Sequence, residues 1–367
     1  MTLRLTAAPL EEARKAFLAG DYNATLFHAK AATEAAQWDE EARELHIRAL
    51  LTTGQYTNAL TVTTNAIDKL SFSVRLLWMA HEVHKFNNQP GKSTAALTEM
   101  NRLATQMTWR YRTAPDLVAL GRMALLDKAD PKLVLERLYD AAEKSNPTSR
   151  VVPLAKGELA LSKSDFTLAS RVYQLALKKF PNDAEIHYGV AKSFESSERK
   201  VMQKHLEAAL EANPNHIASH LLLIDNLIDR EAYAEAKQMI AQVLKVNPEH
   251  PEAWAYRAVL AHLRNDTARE KTARERALKH WPRNPQVPHL IGKKLSQKYR
   301  FAEGSAYQKQ ALTFDTKHIP ARIQLAQDLL RLGLEKEGWA MATTAHEEDG
   351  YDVTTYNLVT LKDTLEK

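Results

Sequence analysis

The string His81-Glu-Val-His84-Lys85 is the nearest approach in this 367-residue chain to a zinc-hydrolase motif. That chemistry needs His-Glu-x-x-His on one helix, two imidazole ligands at i and i+4 with the general-base glutamate between them. Here the second histidine comes one residue early and Lys85 stands at the ligand position, so the string reads as a polar helix face. Gly91-Lys92-Ser93-Thr94 has the ending of a phosphate-cradling loop. The full motif needs a glycine where Phe86 stands and a strand before it, whereas a helix is expected there; Ser93 or Thr94 belongs to a helix start. Histidines 216, 220, 250, 262, 280, 289 and 318 are spread over the C-terminal half, with no serine in a nucleophile turn beside them. The chain has no cysteine, which excludes disulfides, thiolate metal sites and thiol catalysis. No catalytic, cofactor-binding or metal-ligating residue is assigned, and the expectation is a non-enzyme.

Charge gives a second kind of candidate. Between Arg264 and Lys309 there are twelve Lys or Arg against four acids, while residues 1–60 hold six bases against eight acids. The whole chain is only +5, so the basic stretch exceeds the net charge. An acidic peptide or acidic neighbouring domain is the partner this favours over nucleic acid, against the plain alternative of a solvated face. No apolar run has the roughly 18 residues of a membrane span, and Met1–Pro9 lacks an apolar signal core. As it stands the chain reads as soluble and cytoplasmic, without a membrane partner, its compartment otherwise unassigned.

Something must position these residues, and the chain is visibly periodic. Pro181, Pro214, Pro248 and Pro282 each follow a helix-ending phrase, at intervals of 33, 34 and 34 residues; Gly20-Asp-Tyr22 and Gly54-Gln-Tyr56 are also 34 apart. Small residues recur with the period: Gly157, Ala258, Gly292 and Ala326 at position 8, Gly304 and Gly338 at position 20, Ala277, Ala311 and Ala345 at position 27. Two antiparallel helices meet where small side chains let backbones approach, and a following proline ends the second helix. On these residues the chain resembles the tetratricopeptide-repeat family. The resemblance implies an all-α fold, an α-α superhelix or solenoid, here of ten helix pairs (8–38, 39–72, 73–112, 113–149, 150–183, 184–216, 217–250, 251–284, 285–318, 319–352) and a closing helix over 353–367. It is expected to be one solenoid over 1–367 with soft joints near 85–92 and 108–115. Trp38, Trp78, Trp109, Trp254, Trp281 and Trp339 are expected to pack between helices.

Pro251-Glu-Ala-Trp-Ala-Tyr-Arg-Ala-Val-Leu-Ala-His-Leu-Arg-Asn-Asp266, Ile291-Gly-Lys-Lys-Leu-Ser-Gln-Lys-Tyr-Arg-Phe-Ala-Glu-Gly304 and Gln324-Leu-Ala-Gln-Asp-Leu-Leu-Arg-Leu-Gly333 carry a narrower likeness. From Thr113 onward the chain is similar to the repeat region of bacterial proteins that join tetratricopeptide repeats to a zincin-type metallopeptidase domain. In that family the peptidase-like part follows a segment like Tyr356–Leu365. The resemblance implies that this chain is the repeat half, without catalytic residues, and that it could position substrate for such a domain.

Repeat positions 2, 5, 9, 12 and 13 line the family's concave groove. They select Tyr188, Lys192 and Glu195; Leu221, Asp225, Ile228 and Asp229; Glu252, Ala255, Val259 and His262; His289, Lys293, Ser296 and Gln297; and Ile323, Gln327 and Arg331. The family's clamp for terminal carboxylates is rejected, because Asp225 and Asp229 would repel that ligand. Adding the basic cluster, the expected partner-binding residues are Lys192, Asp225, Asp229, His262, His289, Lys293, Lys294, Gln297, Lys298, Arg300, Gln327 and Arg331. The expected function is a scaffold for a peptide or partner domain, with Lys293, Lys294, Lys298 and Arg300 as one cationic face.

Overall fold

The computed structural model describes residues 2–365, with side chains placed from Pro9 onward. Met1 and the last two residues of the expected closing helix, Glu366 and Lys367, lie outside the described residues, as do the side chains of most of the segment read for a signal core.

Among the described residues every regular element is helical. The pairs run α1 (Thr2–Ala19) with α2 (Tyr22–Ala35), α3 (Glu40–Thr52) with α4 (Tyr56–Lys69), and α5 (Val74–Lys85) with α6 (Pro90–Gln106). In the fourth pair α7 (Ala114–Leu126) meets a helix in three parts: α8 (Pro131–Val134), a π-helical turn (Leu135–Tyr139) and α9 (Asp140–Ser145). Then follow α10 (Val151–Ser162) with α11 (Phe166–Leu177), α12 (Ala184–Ser193) with α13 (Arg199–Ala212), and α14 (Ile217–Asp229) with α15 (Tyr233–Val246). The last are α16 (Pro251–His262) with α17 (Thr267–Ala277), α18 (Gln286–Gln297) with α19 (Phe301–Phe314), α20 (Ile319–Arg331) with α21 (Glu335–Glu348), and the closing α22 (Val353–Leu365). These are the ten pairs and closing helix that the period predicts.

Local chemistry explains the starts and stops. Side chains of Asp39, Ser73, Thr113 and Asp183 each accept a bond from a first-turn backbone N–H, satisfying donors that no helical carbonyl can reach. The turn inside most pairs needs one left-handed residue. Gly20, Gly54 and Gly333 supply it with φ between 75° and 80°, and Asn88, Lys128, Ser164, Glu231, Asn265 and Tyr299 adopt it with φ between 52° and 62°. From Glu231 to Gly333 these residues recur every 34, which is the sequence period expressed as backbone geometry.

Packing follows the small positions. A Cβ on Gly157 or Gly189 would overlap the ring of Tyr173, and one on Gly121 the ring of Tyr139. Both tyrosines are buried, and burying a large side chain contributes roughly 1.5–3 kcal/mol. In α18 and α19, Gly292 and Gly304 face each other so closely that a Cβ on Gly292 would sit 2.8 Å from the Gly304 carbonyl oxygen.

The packing divides the chain into two compact units, Met1–Leu159 with Phe166–His216, and Ala160–Asp165 with Ile217–Lys367. Both expected soft joints lie inside the first unit. There, ion pairs tie successive pairs: Arg14 to Glu41, Arg75 to Glu40 and Glu44, Arg122 to Glu158, and Arg150 to Asp183 and Glu185. The unit also closes on itself: Asn215 Nδ2 donates to the Gly20 carbonyl (3.0 Å), and Asn213 packs where a Gly20 side chain would be. In the second unit one contiguous core runs from Leu221 through Ile240 and Val259 to Leu295. Its segment 160–165 receives the α22 start, with the Val353 N–H donating to the Lys163 carbonyl (2.9 Å).

Candidate functional site

The expected binding residues of the second unit lie on first helices α14, α16, α18 and α20, except Lys298 and Arg300 in the turn between α18 and α19; α16–α18 and α18–α20 pack directly. The structure separates them into buried and accessible groups.

Lys294 is the main correction. It is fully buried, with Nζ 2.6 Å from Asp225 and 2.8 Å from Asp229, so α18 reaches past α16 to α14. Asp225 also accepts a bond from Tyr256 Oη of α16 (2.9 Å). An ammonium out of water must be neutralised, and two carboxylates do so here. Buried Asp225 and exposed Asp229 therefore clamp the buried Lys294, which cannot belong to an exposed cationic face.

Lys298 and Arg300 are accessible but matched. Lys298 Nζ lies 3.1 Å from Glu231 and donates to the Asp229 carbonyl, while Arg300 Nε lies 2.6 Å from Glu303. Burial alone would raise the Glu303 carboxyl, but hydrogen bonds from Arg300 and His262 hold it below the usual range. His262 sits between two carboxylates, Nδ1 at 3.0 Å from Glu270 and Nε2 at 2.5 Å from Glu303, joining pairs eight and nine. His289 is buried, with Nδ1 2.8 Å from Gln308 Oε1; desolvation, with the neighbouring His318 adding to it, lowers it to about 3. Lys192, in the first unit, pairs with Glu195 (2.5 Å).

Four expected residues remain open: Lys293 and Gln327 half-buried, Gln297 and Arg331 exposed. They occupy repeat positions 9 and 13, on α18 and α20, so each helix offers one cation and one amide. Neither Lys293 nor Arg331 makes an ion pair among the described residues. Between the helices Ser296 donates to Asp328 Oδ2 (2.8 Å), and burial raises the Asp328 carboxyl. That buried bond fixes the two helices under the open residues.

The wider basic stretch is largely matched too. Arg276 and Lys279 share Glu249, Arg269 meets Asp266, Arg274 meets Glu270, and Lys271 lies 4.0 Å from Glu275. Arg283 donates to the Thr313 carbonyl, capping α19. The linear count of charge overstated the free cationic surface.

In the first unit, His81 and His84 do not form a metal pair. His81 is buried with Nδ1 2.8 Å from Ser93 Oγ, and His84 Nδ1 meets Gln89 Oε1 (2.9 Å). The tryptophan expectation also needs correcting, because Trp38 and Trp109 are exposed rather than packed. Among the described residues no group of three or more His, Asp or Glu side chains could hold a metal ion. No described helix is long and apolar enough to cross a membrane.

Residues 154–201 and 203–260 match models of the tetratricopeptide repeat. Over residues 154–260 the helix pairs are of tetratricopeptide type, and the pairs on either side repeat the same alternation of helices. No curated protein matches the sequence. Among solved structures, the APC/C hetero-tetramer Cut9–Hcn1 is similar at 11% identity, over 96% of this chain and 89% of that one, with a TM-score of 0.43. Yeast Tom70 is similar at 13% identity, over 100% of this chain and 90% of that one, with a TM-score of 0.36. Of the expected binding residues, Lys293 and Gln297 on α18 and Gln327 and Arg331 on α20 are the ones left open.

Proposed function

We propose that the chain is a protein-interaction scaffold that holds an acidic segment of a partner protein across α18 and α20. Lys293 and Arg331 supply the charge contacts, and Gln297 and Gln327 supply hydrogen bonds that orient the segment. The observation that carries this reading is the contrast within one basic stretch: Lys294, Lys298 and Arg300 are neutralised internally, whereas Lys293 and Arg331 are not. Unmatched cations on a rigid, preorganised surface favour an acidic ligand and steer its approach.

Each exposed contact contributes only about 0.2–1 kcal/mol, so the test reverses both charges together. A labelled oligo-glutamate peptide should bind the full chain with a strong salt dependence. Lys293→Glu with Arg331→Glu should weaken binding several-fold while circular dichroism is unchanged. Equal binding by the reversed variant would place the acidic site elsewhere, and no binding by either protein would reject this reading.

A further inference from the structure

Three large aromatic side chains stand at one equivalent place in the first three helix pairs. The second helices of these pairs end at caps Ala36, Leu70 and Met107, and two residues later come Trp38, Phe72 and Trp109. They are 64%, 45% and 66% exposed. The fold does not require an aromatic there: the same place holds Thr148, Asn215, Glu249 and Lys317 in later pairs, and Tyr351 in the last. Scattered exposed apolar residues need no explanation, but a row repeated at one structural position does.

The three loops are joined to one another. Lys69 Nζ donates to Gln37 Oε1 (3.3 Å), the Arg110 guanidinium lies 5.5 Å from the Phe72 ring centre, and Tyr111 Oη donates to the Phe72 carbonyl (2.9 Å). Two exposed cations flank the row at its third site, Arg110 and Arg112, with acids also nearby at Asp39, Glu40 and Asp116. Arg110 and Arg112 make no ion pair among the described residues. Asp39, the acid beside Trp38, is engaged as a helix cap by the Ala42 N–H (2.9 Å).

Spacing narrows the conformation of a ligand. Consecutive first helices α3, α5 and α7, which the three aromatics precede, pack directly, and packed helices lie roughly 8–10 Å apart, which sets the scale of the spacing between the aromatic sites. An α-helical ligand presents one face every ~5.4 Å, or every ~10.5 Å at seven-residue spacing, a β-strand every ~6.6 Å, and stacked bases every ~3.4 Å. A polyproline II segment has three residues per turn at ~3.1 Å each, which repeats one face every ~9 Å. Its prolines also suit aromatic side chains, as in other proline-rich recognition surfaces.

We propose that Trp38, Phe72 and Trp109, with Arg110 and Arg112 beside them, form a docking row for an acidic, proline-rich segment of another protein in polyproline II conformation. This surface is separate from α18 and α20 and does not depend on the function proposed for them.

The probe is a labelled peptide of about ten residues repeating Asp-Pro-Pro, long enough to span the three sites, followed by anisotropy with the full chain. Saturable binding is expected. Trp38→Ala with Trp109→Ala should weaken it at least tenfold with helicity kept, and Arg110→Glu with Arg112→Glu should remove its salt dependence. The reversal at Lys293 and Arg331 should leave it unchanged. Absence of binding, indifference to the tryptophan changes, or equal binding of an Asp-Gly-Gly repeat would each overturn the proposal. Tryptophan-dependent binding of oligo-uridine or of anionic vesicles, but not of the peptide, would overturn it in favour of that other ligand.

Discussion

Lys294 and Asp225, 69 residues apart in sequence, form an ion pair at 2.6 Å in which the lysine is wholly shielded from water. The pair ties the ninth helix pair to the seventh. It also converts a carboxylate expected to meet a ligand into a structural group.

Removing the lysine should therefore act on stability. Lys294→Ala leaves Asp225 and Asp229 facing each other without a cation, and losing one member of a buried pair costs about 3–5 kcal/mol. Lys294→Met combined with Asp225→Asn and Asp229→Asn should recover most of the loss, because no uncompensated charge remains. Urea unfolding of the two variants makes the comparison, and equal losses would mean that packing rather than charge dominates.

Gly304 tests the close approach of α18 and α19. A Cβ there would overlap Ser296 Oγ and lie 3.0 Å from the Gly292 carbonyl oxygen and 3.1 Å from Asp328 Oδ2. Gly304→Leu should destabilise the protein by at least the roughly 1–3 kcal/mol typical of overpacking. Gly91→Ala is the control: it lies in the first turn of α6 with open space around it, so the change should be neutral or stabilise by up to about 1 kcal/mol. A thermal melt that ranks the two variants the other way would contradict this packing.

Tyr299 is 85% exposed and holds φ at 61°, where the equivalent residues Gly54 and Gly333 have no side chain to strain. Left-handed backbone costs a non-glycine residue roughly 1–2 kcal/mol, partly offset by the chain entropy that glycine loses on folding. Tyr299→Gly should raise stability by about 0.5–1 kcal/mol, read as a higher midpoint in denaturant. A lower midpoint would show that the Phe301 ring contact, at 6.1 Å between centroids, matters more than the backbone.

Acid should weaken the fold through two histidines before most carboxylates titrate. Desolvation lowers His289 from 6.5 to about 3 and His250 from 6.5 to about 4. Below pH 6.5 the unfolded chain takes up protons that these folded rings refuse, so stability falls as pH drops toward 4 and 3. Above that window both states are neutral there and neither group contributes. His289→Asn, which keeps a polar partner for Gln308, should flatten part of the decline in unfolding free energy between pH 6.5 and 4. Parallel curves for the two proteins would exclude His289 as a source.

The sequence alone determined the helix pairs, because each signal was local and repeated. Small residues at positions 8, 20 and 27 and prolines every 33 or 34 residues mark where helices must touch and stop. Hydrogen bonding within a turn or a helix needs nothing from distant parts of the chain. The left-handed turn residues were only half legible: Gly20, Gly54 and Gly333 announce themselves, whereas Lys128 and Tyr299 adopt the same φ because the flanking helices impose it. The site was less legible still. Lys293 and Lys294 are neighbours in one basic run, yet about 100° of helix rotation turns one toward the open face and the other into α14. Which is which depends on where Asp225 and Asp229 arrive, and no spacing within α18 encodes that. Trp38, Phe72 and Trp109 carried a faint signal in their common distance from a helix end. Their exposure was decided by tertiary packing, since whether a neighbouring helix covers a side chain is a property of the assembled layers. The same holds for Asn215 against Gly20, a contact between loops five helix pairs apart that exists only because the first unit closes on itself.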